Sequence, residues 1–287
     1  MRKPKLRPVS FYEIDRYLTK SWRPLHRHPI HTVTRKDVAA RLNEIERQNG
    51  VSVASRARAA LSALFAWAIQ QGYRDDDPVI GTAKPEEGPG RDRVLTDVEL
   101  AEVWNACADD EYGKIVRLLI LTGQRRDEVG AMQWSELDHE REVWTLPAAR
   151  AKNHKAHALT LPPAAWAIIH TVPRKPNGYL FGRKAGFTCY SLYKPQLDAR
   201  VQIEPWVIHD LRRTVATRIA DLGIASPHVI EQLLNHVSGH KAGVAGIYNR
   251  SSYERETRNA LAMWADHVAS ITQNTKRTII PIREIPA

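Results

Sequence analysis

The stretch that decides the fold reads IHDLRRTVATRIADLG at residues 208–223 and EQLLNHVSGHKAGVAGIYNR at residues 231–250. The first part predicts a helix that ends at the glycine, and the second part contains a glycine-bearing loop. Four polar side chains stand out within it: His209, Arg212, His236 and Tyr248. Each alone has an ordinary explanation, because an HxxR pair is usually a polar helix face and a single tyrosine is usually a core or surface residue.

Together, these side chains have the chemistry to bind a phosphodiester and attack it. A guanidinium binds phosphate through two N–H donors in fixed geometry, and a tyrosine hydroxyl can form a covalent phosphotyrosine. Deprotonating a phenol of pKa about 10 costs roughly 4 kcal/mol at pH 7, and a cationic site offsets much of that cost. A lysine can supply the proton that the leaving oxygen needs, without any metal.

Composition favours a protein that binds nucleic acid. Lysine and arginine total 42 against 32 acidic residues, which gives a formal net charge of +10 over 287 residues. Polyanions are natural partners of such a chain, although a basic protein without such a partner is the alternative that charge alone leaves open. The length suffices for two modest domains, each with its own core.

Neither a membrane span, a secretory signal nor a metal site is predicted. There is no run of about 18 apolar residues, and the basic N-terminus lacks an apolar signal core. The two cysteines, Cys107 and Cys189, are far apart and in no metal-ligand spacing. We therefore expect a cytoplasmic protein.

The first 84 residues predict a small helical domain. Apolar spacing favours a short helix at 11–20, a second helix with Thr34 as N-cap and Asp37 at N3, and a stronger helix from Ser52 to Gln71. Basic residues of this domain are candidates for contacts with DNA phosphates: Arg35, Lys36, Arg56 and Arg58.

A change of composition follows this domain. Residues 75–93, DDDPVIGTAKPEEGPGRDR, are rich in proline, glycine and acid and have no apolar period, which is typical of a linker. We place the helical domain at residues 1–84, the linker at 85–93, a second domain at 94–271 and a C-terminal tail at 272–287.

The second domain predicts helices around one β-hairpin. Thr96 and Glu99 have capping-box spacing, and another helix precedes Gly123. Arg125 and Glu128 follow at i, i+3 spacing, which by itself indicates only a local ion pair. Residues 141–162 predict two paired strands. The tip of the hairpin is basic: Arg150, Lys152, His154, Lys155 and His157.

The last third of the chain is predicted to be helical. Its final helix is amphipathic through Leu261, Trp264 and Val268. The expected fold class is therefore mainly α with a small β-hairpin or sheet, in two domains.

Five separated motifs, taken in order, resemble the tyrosine recombinase (phage integrase) family. They are TGQRRDE, AKNHKAH, HDLRRT, LLNHV and IYNR, and the resemblance covers residues 91 to about 268. The family usually has leucine-glycine-histidine where this chain has Leu234, Asn235 and His236. The resemblance implies a mixed α+β catalytic domain, and residues 1–84 more weakly resemble a helical core-binding domain.

The resemblance assigns six positions to the catalytic site: Arg125, Lys152, His209, Arg212, His236 and Tyr248. The arginines bind the phosphate, the lysine is the general acid and the tyrosine is the nucleophile, with Glu128 as the supporting acid. Three more basic residues are candidates for contacts with DNA: Arg150, Lys155 and Arg213. The resemblance implies no cofactor and no metal.

The implied activity is site-specific DNA recombination through a 3′-phosphotyrosyl intermediate, which integrates or excises a mobile element. Four protomers would act on two double-stranded sites through a Holliday junction, with DNA-bending accessory proteins as further partners. The C-terminal motifs are most similar to integrases of prophages and integrative islands. Such integrases typically have a further N-terminal domain for arm-type sites, and we expect this chain to begin at the core-binding domain.

Two alternatives belong beside this interpretation. A type IB topoisomerase would use the same chemistry as a monomer without site choice, although the motif spacing favours the recombinase. A DNA-binding protein without catalysis would keep the charge, but all six family positions are filled. Tyr253 is the rival nucleophile, and Tyr248 is preferred because IYNR occupies the family position.

Overall fold

The computed structural model describes residues 8–236 and 253–273. The chain divides into two compact units, Met1–Arg91 and Asp92–Ala287, and each has its own hydrophobic core. Of the helices found in the described ranges, none combines the length and apolar character that crossing a lipid bilayer requires.

The first unit is helical. Its elements are α1 (Pro8–Arg16), a π-helical turn (Tyr17–Ser21), a 3-10 turn (Arg23–Arg27), α2 (Arg35–Asn49) and α3 (Val51–Gln70). The predicted capping box is confirmed, because Asp37 N–H donates to Thr34 Oγ1 at 3.3 Å and Thr34 N–H donates to the Asp37 carboxylate at 2.9 Å. The core lies between α2 and α3, where Trp22 donates its indole N–H to the Ala57 carbonyl at 2.8 Å.

The first half of the predicted linker packs onto this unit. Val79 is only 1% exposed, and Arg58 of α3 donates to Thr82 Oγ1 at 3.0 Å and to the Val79 carbonyl at 3.2 Å. The interpretation of residues 75–93 as a linker throughout is therefore corrected, since the continuously exposed stretch is 86–92. Arg58 stabilises the packed segment, a role that competes with its predicted contact with DNA.

The second unit combines helices with one small sheet. The helices are α4 (Asp97–Ala106), α5 (Glu111–Thr122), α6 (Arg126–Gly130), α7 (Pro163–His170), α8 (Tyr190–Asp198), α9 (Ile208–Asp221), α10 (Pro227–Leu233) and the distal helix (Glu254–Thr272). A 3-10 turn, Trp134–Glu136, precedes β1 (Leu137–Asp138), which is followed by β2 (Val143–Leu146) and β3 (His157–Thr160). The strands form an antiparallel sheet in the order β1-β2-β3, with Trp144 opposite Leu159.

The second unit is organised around α5. Ile115, Leu118 and Leu119 are buried, and α5 packs against α7, α9 and the distal helix. Trp264 of the distal helix is fully buried and donates its indole N–H to the Ile120 carbonyl at 2.7 Å. The predicted amphipathic character of this helix is confirmed, and the helix is part of the core that supports the site.

Two elements escaped sequence prediction. Helix α8 contains Pro195 in its interior and has no side-chain cap, so neither of the usual helix signals is present. Strand β1 has only two residues and pairs with the edge of the predicted hairpin. The fold class is confirmed as mainly α with a small sheet.

Candidate active site

The end of α5 forms one wall of the site. Gly123 has φ +63°, and a Cβ added there would lie 2.9 Å from Val215 Cγ1, so only glycine ends the helix here without strain or collision. The chain then passes through Gln124 to Arg125, the residue that precedes α6. The turn therefore fixes both the Gly123 carbonyl and the starting point of the Arg125 side chain.

Arg212 enters the site from α9. It is 5% exposed, and it donates Nη1 to the Gly123 carbonyl at 2.8 Å and Nη2 to the Leu234 carbonyl. Burial, followed by the nearby Arg125, lowers the pKa of Arg212, and its guanidinium still remains a cation at neutral pH. Two carbonyls on separate segments thus hold the plane of this cation before any ligand binds.

Arg125 is held beside it by one acid. Its Nη1 donates to Glu128 Oε1 at 3.2 Å, which confirms the predicted ion pair, and its Nη2 donates to the Asn235 carbonyl at 3.4 Å. Glu128 is 5% exposed, and its charge opposes the lowering of the pKa of Arg212. Two guanidiniums and one carboxylate make this part of the site net positive, which suits an anionic ligand.

The β2–β3 connection approaches the same acid. Lys152 is exposed in this connection, and its backbone N–H donates to Glu128 Oε1 at 3.2 Å. His157, which we predicted at the basic tip, instead lies in β3, where it is buried and its Nε2 is 3.1 Å from the Leu233 carbonyl. Glu128 therefore connects Arg125 with the segment that contains Lys152.

Both predicted histidines lie near these cations. His236 is half-buried, and burial, then Arg212 and Arg125, lower its pKa to about 4. His209 is exposed in the first turn of α9, and partial burial, then Arg212 and Arg213, lower its pKa, with Lys152 acting in the same direction. Each ring is therefore neutral at pH 7 and is able to donate one hydrogen bond and accept another.

The turn before His236 has the backbone geometry of a glycine turn. Asn235 has φ +51°, a left-handed conformation that asparagine tolerates better than most residues with a side chain. The departure from leucine-glycine-histidine thus leaves the turn in a conformation suited to either residue.

The predicted nucleophile, Tyr248, lies outside the described residues. The rival Tyr253 is described: it precedes the distal helix with φ +48°, and its ring centroid is 5.0 Å from that of His228. The described part of the site thus contains Arg125, Lys152, His209, Arg212 and His236, and their catalytic roles stay predictions.

The predicted DNA contacts have different surroundings. Four of these side chains are exposed: Arg35, Lys36, Arg56 and Lys155. Arg213 is partly exposed and forms an ion pair with Asp210.

Arg150 is bound within the domain. Its guanidinium donates to both oxygens of the buried Glu136 carboxylate, at 2.6 and 2.7 Å, and to the Glu128 carbonyl at 3.2 Å. This gives it a structural role within the domain, which competes with the predicted contact with DNA.

Sequence reasoning missed two side chains that shape the site. Glu136 holds Arg150, and Asn153 donates to Asn235 from the residue after Lys152. The partners of each pair are 14 and 82 residues apart, so no local spacing announces them.

The sequence is similar to a known protein family and to its members. The sequence model of the phage integrase family matches residues 93–255, and that of the phage integrase central domain matches residues 2–84. The chain is similar to the prophage integrase IntZ of Escherichia coli strain K12, with 26% identity over 266 residues. That match covers 90% of this chain and 65% of the relative, so this chain spans slightly less than two thirds of the relative's length.

Solved structures show the same fold. A lambda integrase (75-356) dimer bound to a COC' core site matches with a TM-score of 0.65 and 19% identity, covering 81% of this chain and 89% of that chain. A lambda integrase tetramer bound to a Holliday junction matches with a TM-score of 0.65 and 17% identity, covering 87% and 74%.

Proposed function

This chain belongs to the phage integrase family, and we propose that it is a site-specific DNA recombinase of the tyrosine type. The observation that carries the proposal is the convergence of Arg125 and Arg212 on the turn that ends at His236, with the Lys152 segment anchored to the same acid, Glu128. Two fixed guanidiniums side by side are suited to a phosphodiester, whose charge rises in the transition state.

The proposed reaction exchanges one phosphodiester for another. The Tyr248 oxygen attacks the scissile phosphorus, while the phenolic proton passes to solvent. The bond to the 5′-oxygen breaks, and this oxygen takes a proton from Lys152. The products are a 3′-phosphotyrosine and a free 5′-hydroxyl. A 5′-hydroxyl of the partner strand then reverses the steps, so the number of phosphodiesters is conserved and no ATP is consumed.

The held cations contribute through preorganisation. Because the Gly123 and Leu234 carbonyls already orient Arg212, its guanidinium needs little rearrangement when charge develops on the phosphate. His209 and His236 are neutral hydrogen-bonding groups at pH 7, since burial and, after it, the neighbouring cations disfavour their protonated forms. A bound phosphate would raise the pKa of both histidines, because its negative charge offsets the charges of the arginines.

We propose double-stranded DNA as the partner, contacted by the exposed Arg35, Lys36, Arg56 and Lys155, and by Arg213. A homotetramer acting on two sites, aided by DNA-bending proteins, is the proposed assembly for integrating or excising a mobile element. The lambda integrase tetramer on a Holliday junction supports this assembly by its similarity of fold. The cytoplasm is the proposed compartment.

Covalent trapping tests the proposed chemistry. A pool of duplexes of randomised sequence, each nicked near its centre, loses a short fragment after cleavage and so traps the covalent adduct. We expect wild-type protein to form a DNA adduct that survives denaturation, Tyr248→Phe to form none, and Tyr253→Phe to form it normally.

The controls separate the alternatives. Arg212→Ala should abolish the adduct but retain much of the non-specific binding to DNA. Adduct lost in Tyr253→Phe and kept in Tyr248→Phe would move the nucleophile. DNA binding without any adduct from the wild-type protein would refute the proposed activity in favour of a DNA-binding role.

A further inference from the structure

Two asparagines from distant segments form an amide pair at the edge of the site. Asn153 Nδ2 donates to Asn235 Oδ1 at 2.7 Å and to the Asn235 carbonyl at 3.0 Å. Asn153 Oδ1 in turn accepts from the backbone N–H of Lys155 at 3.1 Å. The Asn153 side chain therefore ties its own loop together and joins it to the turn before His236.

The pair lies directly beside the predicted general acid. On one side of the β2–β3 connection, the Lys152 backbone N–H donates to Glu128, and the next residue along the chain is Asn153. The Asn235 carbonyl also accepts from Arg125 Nη2, at 3.4 Å. The Asn235 carbonyl thus accepts hydrogen bonds from Asn153, next to Lys152, and from Arg125, a proposed phosphate-binding residue. These two bonds fix the position of the β2–β3 connection relative to the place where the phosphate would bind.

The backbone at Asn235 accounts for the identity of this residue. At φ +51° most side chains are strained, while glycine and asparagine are tolerated, and of these two only asparagine supplies an acceptor oxygen for Asn153. Glycine at 235 would keep the turn and the carbonyl contact but lose the side-chain contact. Asn235→Gly is therefore a milder disruption of the Asn153–Asn235 pair than Asn153→Ala.

We propose that the Asn153–Asn235 pair positions Lys152 for protonation of the leaving 5′-oxygen. The inference rests on the recombinase function proposed above, and it assigns the two asparagines a positioning role. Lys152 is exposed on a connection between strands, and proton transfer requires its ammonium within hydrogen-bond reach of the leaving oxygen. Loss of the pair would increase the range of positions of the loop and thereby slow the step that uses the lysine.

The leaving group provides a selective test. In the test substrate, sulfur replaces the scissile 5′-oxygen, so the leaving group is a thiolate. A thiol has a pKa of about 8.5, whereas an alcohol has a pKa close to that of water, about 16. The thiolate therefore leaves without being protonated. A defect in the delivery of the proton should therefore disappear with the sulfur substrate. A defect in the binding of the phosphate should persist.

We expect Asn153→Ala to slow single-turnover adduct formation roughly 10–100-fold on the oxygen substrate, the range that a misplaced catalytic group produces. On the sulfur substrate its rate should be within about threefold of wild type. Asn235→Gly should show the same pattern with a smaller defect, since the carbonyl contact remains. Two variants serve as references. Lys152→Ala should be slow on the oxygen substrate and restored by the sulfur substrate, while Arg212→Ala should be slow on both. His154→Asn is the matched control from the same loop, because its φ of +57° also tolerates asparagine, and its rates should be unchanged.

Equal slowing of Asn153→Ala on both substrates, or no slowing on either, would overturn the positioning role. If Asn153→Ala fails to fold, as judged by thermal unfolding, the same criteria apply to Asn235→Gly. A wild-type protein without adduct on either substrate would refute the recombinase function itself, so the two failures are distinguishable.

Discussion

Replacing Glu128 with glutamine would remove the negative charge that two parts of the site share. The carboxylate is 5% exposed, accepts from Arg125 Nη1 at 3.2 Å and accepts from the Lys152 backbone N–H at 3.2 Å. Glutamine has nearly the same shape and keeps one acceptor oxygen. The substitution therefore tests the charge of Glu128 and leaves its volume almost unchanged.

The distances set the expected magnitude. Unit charges 3.2 Å apart interact by about 5 kcal/mol at an effective dielectric constant of 20. Since the Arg125 side chain remains 20% exposed, solvent recovers part of that energy, and the retained amide oxygen recovers more. We expect the free energy of unfolding of the second unit to fall by about 2–3 kcal/mol, or roughly 4–12 °C in Tm.

Thermal and urea unfolding of Glu128→Gln at pH 7 would measure this loss. The matched control is Glu140→Gln, which neutralises an exposed acid in the β1–β2 turn and should change the free energy of unfolding by less than about 0.5 kcal/mol. Because the chain has two compact units, the transition of the second unit must be followed separately. Equal stability of Glu128→Gln and Glu140→Gln would refute the argument that the carboxylate compensates the buried cations.

Four further predictions concern other residues of the chain. Arg150→Ala should cost about 3–5 kcal/mol of stability, because it leaves the buried Glu136 carboxylate unpaired, and it should leave the slope of log Kd for DNA against log salt unchanged. Lys155→Ala should instead reduce that slope by about 0.9 and leave unfolding unchanged, so the reverse result for either variant would contradict our assignments. His236 has a folded pKa of about 4 against about 6.5 unfolded, so its contribution to stability is fully present above pH 6.5 and is lost as the pH falls to 4. Between pH 7 and pH 4.5, the free energy of unfolding should therefore fall in both proteins. The fall should be smaller in His236→Gln than in the wild type by on the order of 2 kcal/mol. A protease with broad sequence specificity should cut first within the exposed residues 86–92, and early cleavage at 75–82 would contradict the packing of that segment.

The sequence correctly predicted the helices and strands that are determined by residues close together in the chain. The capping boxes at Thr34 and Thr96 each need only a hydroxyl and an acid three residues later, and both are present. The paired strands of the hairpin likewise followed from short apolar runs. Helix α8 lacks such signals and contains Pro195, and its buried Tyr190 and Leu197 depend on partners elsewhere in the fold.

Long-range pairing explains the contacts at the site that the sequence did not predict. A basic residue at a hairpin tip looks alike whether it faces solvent or a buried acid, and only the folded chain brings Glu136 to Arg150. Val79 shows the same limit, since a proline- and glycine-rich context hides a side chain that the first unit buries. The order of motifs identified the family, while the Asn153–Asn235 contact required the fold to bring the two segments together.

The burial of Trp264 also couples the distal helix to the turn that holds Arg212. Its indole N–H donates to the Ile120 carbonyl near the end of α5, and the Gly123 carbonyl that follows this helix accepts from Arg212. The distal helix and the guanidinium are therefore anchored to the same short segment of the chain. Destabilising the distal helix would loosen the preorganised cation without altering any side chain that contacts it.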